Sequence, residues 1–155
     1  MSKERLEAYL KEKCVASARI LTFKRPTITV EDAEKQLEIS REKIIKSMIF
    51  TDENGVPVLG IVTGDKMVDE EKLTKACGAK RIKIARPSAV RNLTGYEVGA
   101  MPPVGFKKTI RTFIDPKVLS FDKVYGGGGA INALLEIDPQ DIKKLISGKV
   151  VDISK

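Results

Sequence analysis

The sequence predicts an α+β domain built on a mixed, strongly curved or barrel-like β-sheet with peripheral helices. Three observations carry this expectation. Segments with strand character outnumber helical ones, hairpins mix with helical crossovers, and glycine kinks recur along the strands. At 155 residues the chain has room for one domain with a real core, expected to occupy residues 1–155.

Residues 2–13 read as an amphipathic helix, with Leu6, Tyr9 and Leu10 on one face and Ser2 as its N-cap. Ile20-Leu21-Thr22-Phe23 forms a short strand, closed off by Lys24-Arg25-Pro26. Thr29 followed by Asp32 is a capping-box variant that opens a second helix, carrying Ala33 and Leu37 and ending near Ile39-Ser40. Residues 43–50 read as a strand whose alternation puts Lys46, Met48 and Phe50 on one face. Ile45, Ser47 and Ile49 then occupy the other. Asp52-Glu53-Asn54-Gly55 is a tight-turn signal, joining this strand to residues 58–62 as an antiparallel hairpin. Asp69 caps a third helix that runs through Cys77 and stops at Gly78. Residues 80–85 alternate basic and apolar side chains, which suits a strand with one wet, positive face. Pro87 fits the first turn of a short helix ended by Gly95.

The stretch from Thr94 to Gly105 holds three glycines and two adjacent prolines, so neither a helix nor an ordinary strand runs through it. A stiff irregular loop is expected, with bare backbone at Gly95, Gly99 and Gly105. Such N–H groups can receive a carbonyl or phosphate oxygen; the alternative is a structural corner linking two elements. Residues 106–114 read as a strand, turned by Asp115-Pro116. Gly126 to Gly129 permit close approach of a ligand or another backbone, or form a wide bulge in a bent strand. A strand over 130–137 follows, and Asp138-Pro139 opens a last helix to Ser147.

Composition excludes several chemistries. The chain has no histidine, which removes Ser-His and Cys-His catalysis and the commonest metal ligand. Cys14 and Cys77 lie far apart without metal-binding spacing, and each is expected as a buried small hydrophobe at a helix end. No Gly-Lys-Ser/Thr follows the four glycines, and no GxGxxG opens a helix, so nucleotide-binding loops of those kinds are unsupported. No apolar run approaches a membrane span and the first residues lack a signal-peptide core, so a cytoplasmic protein is expected.

The net charge of +7 is concentrated. Between Gly78 and Arg111 lie Lys80, Arg81, Lys83, Arg86, Arg91, Lys107, Lys108 and Arg111, eight cations opposed by Glu97 alone. The whole excess therefore flanks the Gly/Pro loop, a field suited to a polyanion such as RNA; the bland alternative is a solvated basic face. Three Tyr, five Phe and no Trp do not support an extended base-stacking platform.

Several signals then line up in one order. Lys46-Ser47-Met48-Ile49-Phe50 comes first, followed by Gly64-Asp65-Lys66-Met67-Val68-Asp69. Thr94-Gly95-Tyr96-Glu97-Val98-Gly99 with Pro103-Val104-Gly105 comes next, and Tyr125 with its glycines last. Over residues 20–150 this resembles the YbaK family, aminoacyl-tRNA deacylases related to the editing domain inserted in bacterial prolyl-tRNA synthetases. The resemblance implies a freestanding protein that hydrolyses the ester of a mischarged tRNA in trans, without a metal or cofactor. Its partners would be the acceptor end of aminoacylated tRNA and prolyl-tRNA synthetase.

By the same resemblance Lys46 matches the family's motif lysine and Gly99 its oxyanion-side glycine loop, with Gly128 as a further N–H. Candidate substrate-binding residues are Phe23, Met48, Phe50, Ala100, Gly127, Gly128 and Asn132. Candidate tRNA-binding residues are Arg86, Arg91, Lys107 and Lys108. Two departures bear on amino-acid selectivity: Gly99-Ala100 stands where relatives often have Gly-Gly, and Asn132 where they often carry Asp or His. Alanine, cysteine or serine on proline tRNA are the substrates the resemblance suggests. A non-catalytic RNA-binding module or a small-molecule carrier would use the same basic face or glycine loops without Lys46-dependent turnover.

Overall fold

The structure, a computed structural model, describes residues 2–155, and Ser2 by its backbone alone. The first helix, α1 (Ser2–Glu12), buries Leu6 and Leu10 as its spacing requires; the cap expected at Ser2 lies outside the described side chains. Strand β1 (Arg19–Thr22) follows, then α2 (Val30–Leu37), started by the full capping box between Thr29 and Asp32. A 3-10 turn at Arg41–Lys43 leads into β2 (Ile45–Asp52) and its hairpin partner β3 (Pro57–Thr63). In the hairpin turn Asp52 Oδ1 accepts from Asn54 N and Val56 N at 2.8 and 2.9 Å, and Gly55 takes φ +76°.

Helix α3 (Glu70–Cys77) is capped by the Asp69 side chain and ended by Gly78 in the left-handed region. Strand β4 (Ile82–Ile84) and helix α4 (Pro87–Thr94), stopped by Gly95, complete the expected order before the Gly/Pro loop. Beyond that loop come β5 (Arg111–Ile114), a 3-10 turn at Pro116–Ser120, β6 (Val124–Gly127), β7 (Ala133–Ile137), α5 (Pro139–Leu145) and β8 (Lys149–Val150).

Two sheets form the α+β fold. One has the order β1-β7-β6 and is antiparallel; the other has the order β4-β2-β3-β5-β8 and is mixed, with β5 parallel to both β3 and β8. A single parallel bridge, Ile44 to Tyr125, links them, and no closed barrel forms among the described residues. The main core lies between the sheets, where Ile45, Ile49, Leu59, Ile61, Leu135 and Ile137 meet Leu6 and Leu10. A second cluster on the other face of the larger sheet joins Phe50, Val58 and Val62 to Leu73, Phe113 and Ile153. Strand β3 is therefore covered on both faces, which is why it reads as an unbroken apolar run.

Three expectations need correction. The Gly/Pro loop is bare only at Gly99: Gly95 N donates to Arg91 O, Tyr96 and the whole of 100–105 are buried, and Gly105 packs against Tyr9 and Leu6. Two prolines and three left-handed glycines let the chain turn within the core without a ladder of its own. The strand expected over 106–114 is regular only over its last four residues, because Lys107 N and Lys108 N donate to Thr94 and Leu93 carbonyls at the end of α4 instead of pairing in a sheet. Cys14 is exposed in a left-handed turn after α1, whereas Cys77 is buried as expected.

Candidate active site

The cavity that collects the motif residues arises from a split between strands. Strand β4 pairs with β2 from Phe50 to Asp52, Ala85 N just beyond it donates to Ile49 O at 2.9 Å, and β6 touches the same edge at the Ile44–Tyr125 bridge. Between these points the edge of β2 from Ile45 to Ile49 opens into a cavity of about 870 Å³. Its other walls come from Thr29 to Glu31 at the start of α2, from Gly64 to Met67, and from Val98, Gly99, Met101, Gly126 and Gly127. The volume is within the range of small-molecule sites. Four exposed apolar side chains rim it, Ile28, Met67, Ile84 and Val98, each 47–61% exposed.

Lys46 projects into this cavity from β2. Its Nζ lies 3.7 Å from Met67 Sδ, and no carboxylate is in ion-pair contact with it among the described residues. Burial lowers the pKa of its ammonium below the ordinary lysine value, with Asp65 and Glu31 acting the other way and Arg41 adding to the decrease. Arg41 is itself engaged by Glu34 at 3.0 Å and Glu31 at 3.6 Å. Asp65 is held by Lys117 at 3.1 Å. Partial burial works to raise the Asp65 carboxyl, but the Thr63 hydroxyl and Lys117 outweigh it and hold it low. Among the described residues Lys46 and Lys66 are thus the cations of this cavity wall that make no ion pair, and Lys46 is the one carried by β2.

Gly99 faces the same cavity with φ +90°, and a Cβ there would collide with Ile28 Cγ2. Its N–H has no hydrogen-bond partner among the described residues. The neighbouring Ala100 N–H is taken by Glu97 O at 3.1 Å. The Gly128 N–H donates to Ala133 O at 3.0 Å and is unavailable to a ligand. Since Gly128 faces β7, alternation turns the Gly127 N–H and C=O away from β7, toward β2 and the cavity. Gly127 has no room for a Cβ, because Met101 O lies against it.

The remaining expected site residues separate into groups. Met48 lines the cavity with Lys46, whereas Phe50 packs in the second core cluster and Phe23 packs against Ala33, Ile44 and Leu134. Asn132 staples the end of β1, its Nδ2 donating to Phe23 O at 2.8 Å while Phe23 N donates to Asn132 O. Ala100 and Lys107 line a different cavity, along with Arg91, which pairs with Glu97 at 3.2 Å. Arg86 and Lys108 are exposed. The sequence reading missed Met67, Ile28 and the free edge of β2 at Ser47. Met67 and Ser47 figured there only as members of the Gly64–Asp69 and Lys46–Phe50 motifs, and Ile28 only adjoins the Thr29 capping box. Among the described residues no three His, Cys, Asp or Glu converge as metal ligands, and no helix is long and apolar enough to cross a membrane.

The chain resembles several known proteins in sequence and in fold. The chain is 37% identical over 100 residues to a proline–tRNA ligase of Brachyspira hyodysenteriae, matching 64% of its own length and 17% of the ligase. It is 24% identical over 127 residues to the "Putative Cys-tRNA(Pro)/Cys-tRNA(Cys) deacylase EbsC" of Enterococcus faecalis, covering 82% of this chain and 77% of that protein. The solved structure of "a putative trans-editing enzyme for prolyl tRNA synthetase" superimposes with a TM-score of 0.90 and 27% identity, over 99% of this chain and 96% of that one. Residues 24–145 match the model of the aminoacyl-tRNA editing domain. With that match running from the end of β1 through α5 and enclosing the whole cavity wall, the chain belongs to the aminoacyl-tRNA editing domain family.

Proposed function

We propose that this protein is a trans-editing deacylase that hydrolyses the ester between a small amino acid and a mischarged proline tRNA, without a metal. Family membership makes it an aminoacyl-tRNA hydrolase; the substrate and the roles of its residues are our reading. The observation that carries it is the placement of the unpaired Lys46 and the unpartnered Gly99 N–H in the walls of one cavity.

In this reading the terminal adenosine and its aminoacyl group enter between β2, α2 and the Gly/Pro loop. Water attacks the ester carbonyl, and negative charge grows on the carbonyl oxygen. The Gly99 N–H, with Gly127 beside it, receives that oxygen, and Lys46 neutralises charge on the carbonyl or the terminal phosphate. Collapse breaks the bond to the ribose oxygen, which leaves with a proton. Without histidine, the water is oriented by backbone carbonyls or by the neighbouring ribose hydroxyl. The apolar rim and Met48 suit a small apolar side chain better than a charged one.

The test is a panel of misacylated tRNAs incubated with the protein in the presence and absence of EDTA. Turnover of alanyl-, cysteinyl- or seryl-tRNA for proline, unaffected by EDTA, is the expected result. Turnover confined to a different tRNA, or abolished by EDTA, contradicts the substrate or the metal-free chemistry respectively.

A further inference from the structure

A second cavity, of about 850 Å³, shares its wall with the first. Val98 and Gly99 line one cavity while their neighbours Glu97 and Ala100 line the other, and Gly127 and Gly129 divide in the same way. The bond from Gly129 N to Ala100 O, 2.8 Å, ties the two loops into that partition.

The second cavity is cationic. Arg5, Arg91 and Lys107 line it against Glu97 alone, and Glu97 is occupied by Arg91 at 3.2 Å. That leaves Arg5 and Lys107 without a carboxylate partner among the described residues. Arg5 is half-buried and fixed in place: its guanidinium lies over the Tyr96 ring, with Cζ 5.7 Å from the centroid. It also rests on Gly95, where any Cβ would strike Nη1. A planar fork of donors, held by a ring and a glycine and not neutralised, matches the oxygens of a phosphodiester. Lys107 adds an exposed point charge, and Ile131, 54% exposed, offers an apolar surface to a base. The basic run between Gly78 and Arg111 does not contain Arg5; the fold brings α1 to it.

We propose that this cavity seats the phosphodiester backbone of the unpaired 3′ nucleotides preceding the terminal adenosine, with Arg5 and Lys107 as the phosphate ligands. The proposal rests on the deacylase reading of the first cavity: a polyanion whose last residue sits beside Gly99 leaves across the shared wall, where these two cations stand.

The experiment compares wild type with Arg5→Gln, Lys107→Gln and the double variant on two substrates. One is a misacylated proline tRNA; the other is the same amino acid esterified to adenosine, which carries no phosphate. Each single variant is expected to raise KM for the tRNA about tenfold, as loss of one charge-assisted contact implies. The ratio of kcat/KM for tRNA over aminoacyl-adenosine falls with it. The salt dependence of tRNA binding becomes shallower by about 0.7 in slope per lost phosphate contact. Equal losses on both substrates, or no change on either, overturn the proposal. Should Arg5→Gln fold poorly, the exposed Lys107→Gln decides alone. If wild type hydrolyses neither substrate, the deacylase reading fails instead, and binding of tRNA with and without its unpaired 3′ nucleotides decides the seat. An unchanged salt slope in the double variant then overturns it.

Discussion

Lys46 is the residue whose chemistry is most exposed to test, because burial has already weakened its hold on a proton. Its pKa lies below the ordinary lysine value of 10.5, so the ammonium is lost at a lower pH than in a free lysine. If the charged form acts, activity falls as pH rises through that lowered value. The linked stability has the opposite sign: between the folded and unfolded pKa values the unfolded chain binds more protons, so stability rises with pH there. A rate profile corrected for spontaneous hydrolysis checks this. Lys46→Arg keeps its charge and is predicted to lose the alkaline limb; an identical limb in that variant contradicts the assignment. Gly99 gives a second prediction. An alanine there must hold φ +90° and displace Ile28, so Gly99→Ala is expected to cost at least about 1 kcal/mol and to cripple turnover. Thermal melting and the deacylation rate read the two effects separately. Lys46 was legible because its strand alternates and its motif is ordered. Its neighbour Met67 was not, since that contact spans 21 residues. The Gly128 N–H was misread as free because adjacent glycines in a strand point opposite ways, and which points where depends on a register that composition does not encode.

At the scale of elements, the helix boundaries were the most legible feature. Thr29 with Asp32, Asp69 with Gly78, and Pro87 with Gly95 each set a helix through local hydrogen bonds or a local φ. The Thr29→Ala variant removes one such cap at the wall of the cavity. It is predicted to lower stability by about 1 kcal/mol, a melting shift of roughly 2–4 °C at this size. The small sheet offers a pH test. Glu136 on β7, its side chain 13% exposed, accepts from Arg19 at 2.8 Å on β1 and from Tyr125 Oη at 2.8 Å on β6. The Arg19 hydrogen bond, followed by that of Tyr125, holds its carboxyl below the ordinary glutamate value of 4.5 despite burial. Its stabilisation is therefore present above the ordinary value and lost as pH falls through the lowered one. Glu136→Gln is predicted to flatten acid unfolding in that window; an unchanged acid limb by circular dichroism contradicts it. Two-residue β8 left no sequence trace, because it exists only by pairing with residues of β5 that lie 36 positions earlier, whereas Asp115-Pro116 signalled the turn after β5.

For the molecule as a whole, the sheet class was legible and the site only in part. The hairpin of β2 and β3 is local and was read correctly, while the parallel placement of β5 against β3 depends on a crossover of about fifty residues. The cavity depends on that non-local arrangement, since it is the gap left where β4 and β6 cover the ends of β2 and not its middle. The charge on residues 78–111 pointed to a polyanion, yet Arg5 joins it only because α1 packs beneath the Gly/Pro loop. The central claim is that Lys46 and the Gly99 N–H act together on one ester. Single-turnover hydrolysis of alanyl-, cysteinyl- and seryl-tRNA for proline, by wild type and by Lys46→Ala with matched melting curves, tests it most directly. At least one substrate is predicted to be hydrolysed by wild type and to lose about 10²-fold or more in rate with the variant. A Lys46→Ala protein that matches wild type on every substrate would contradict the account.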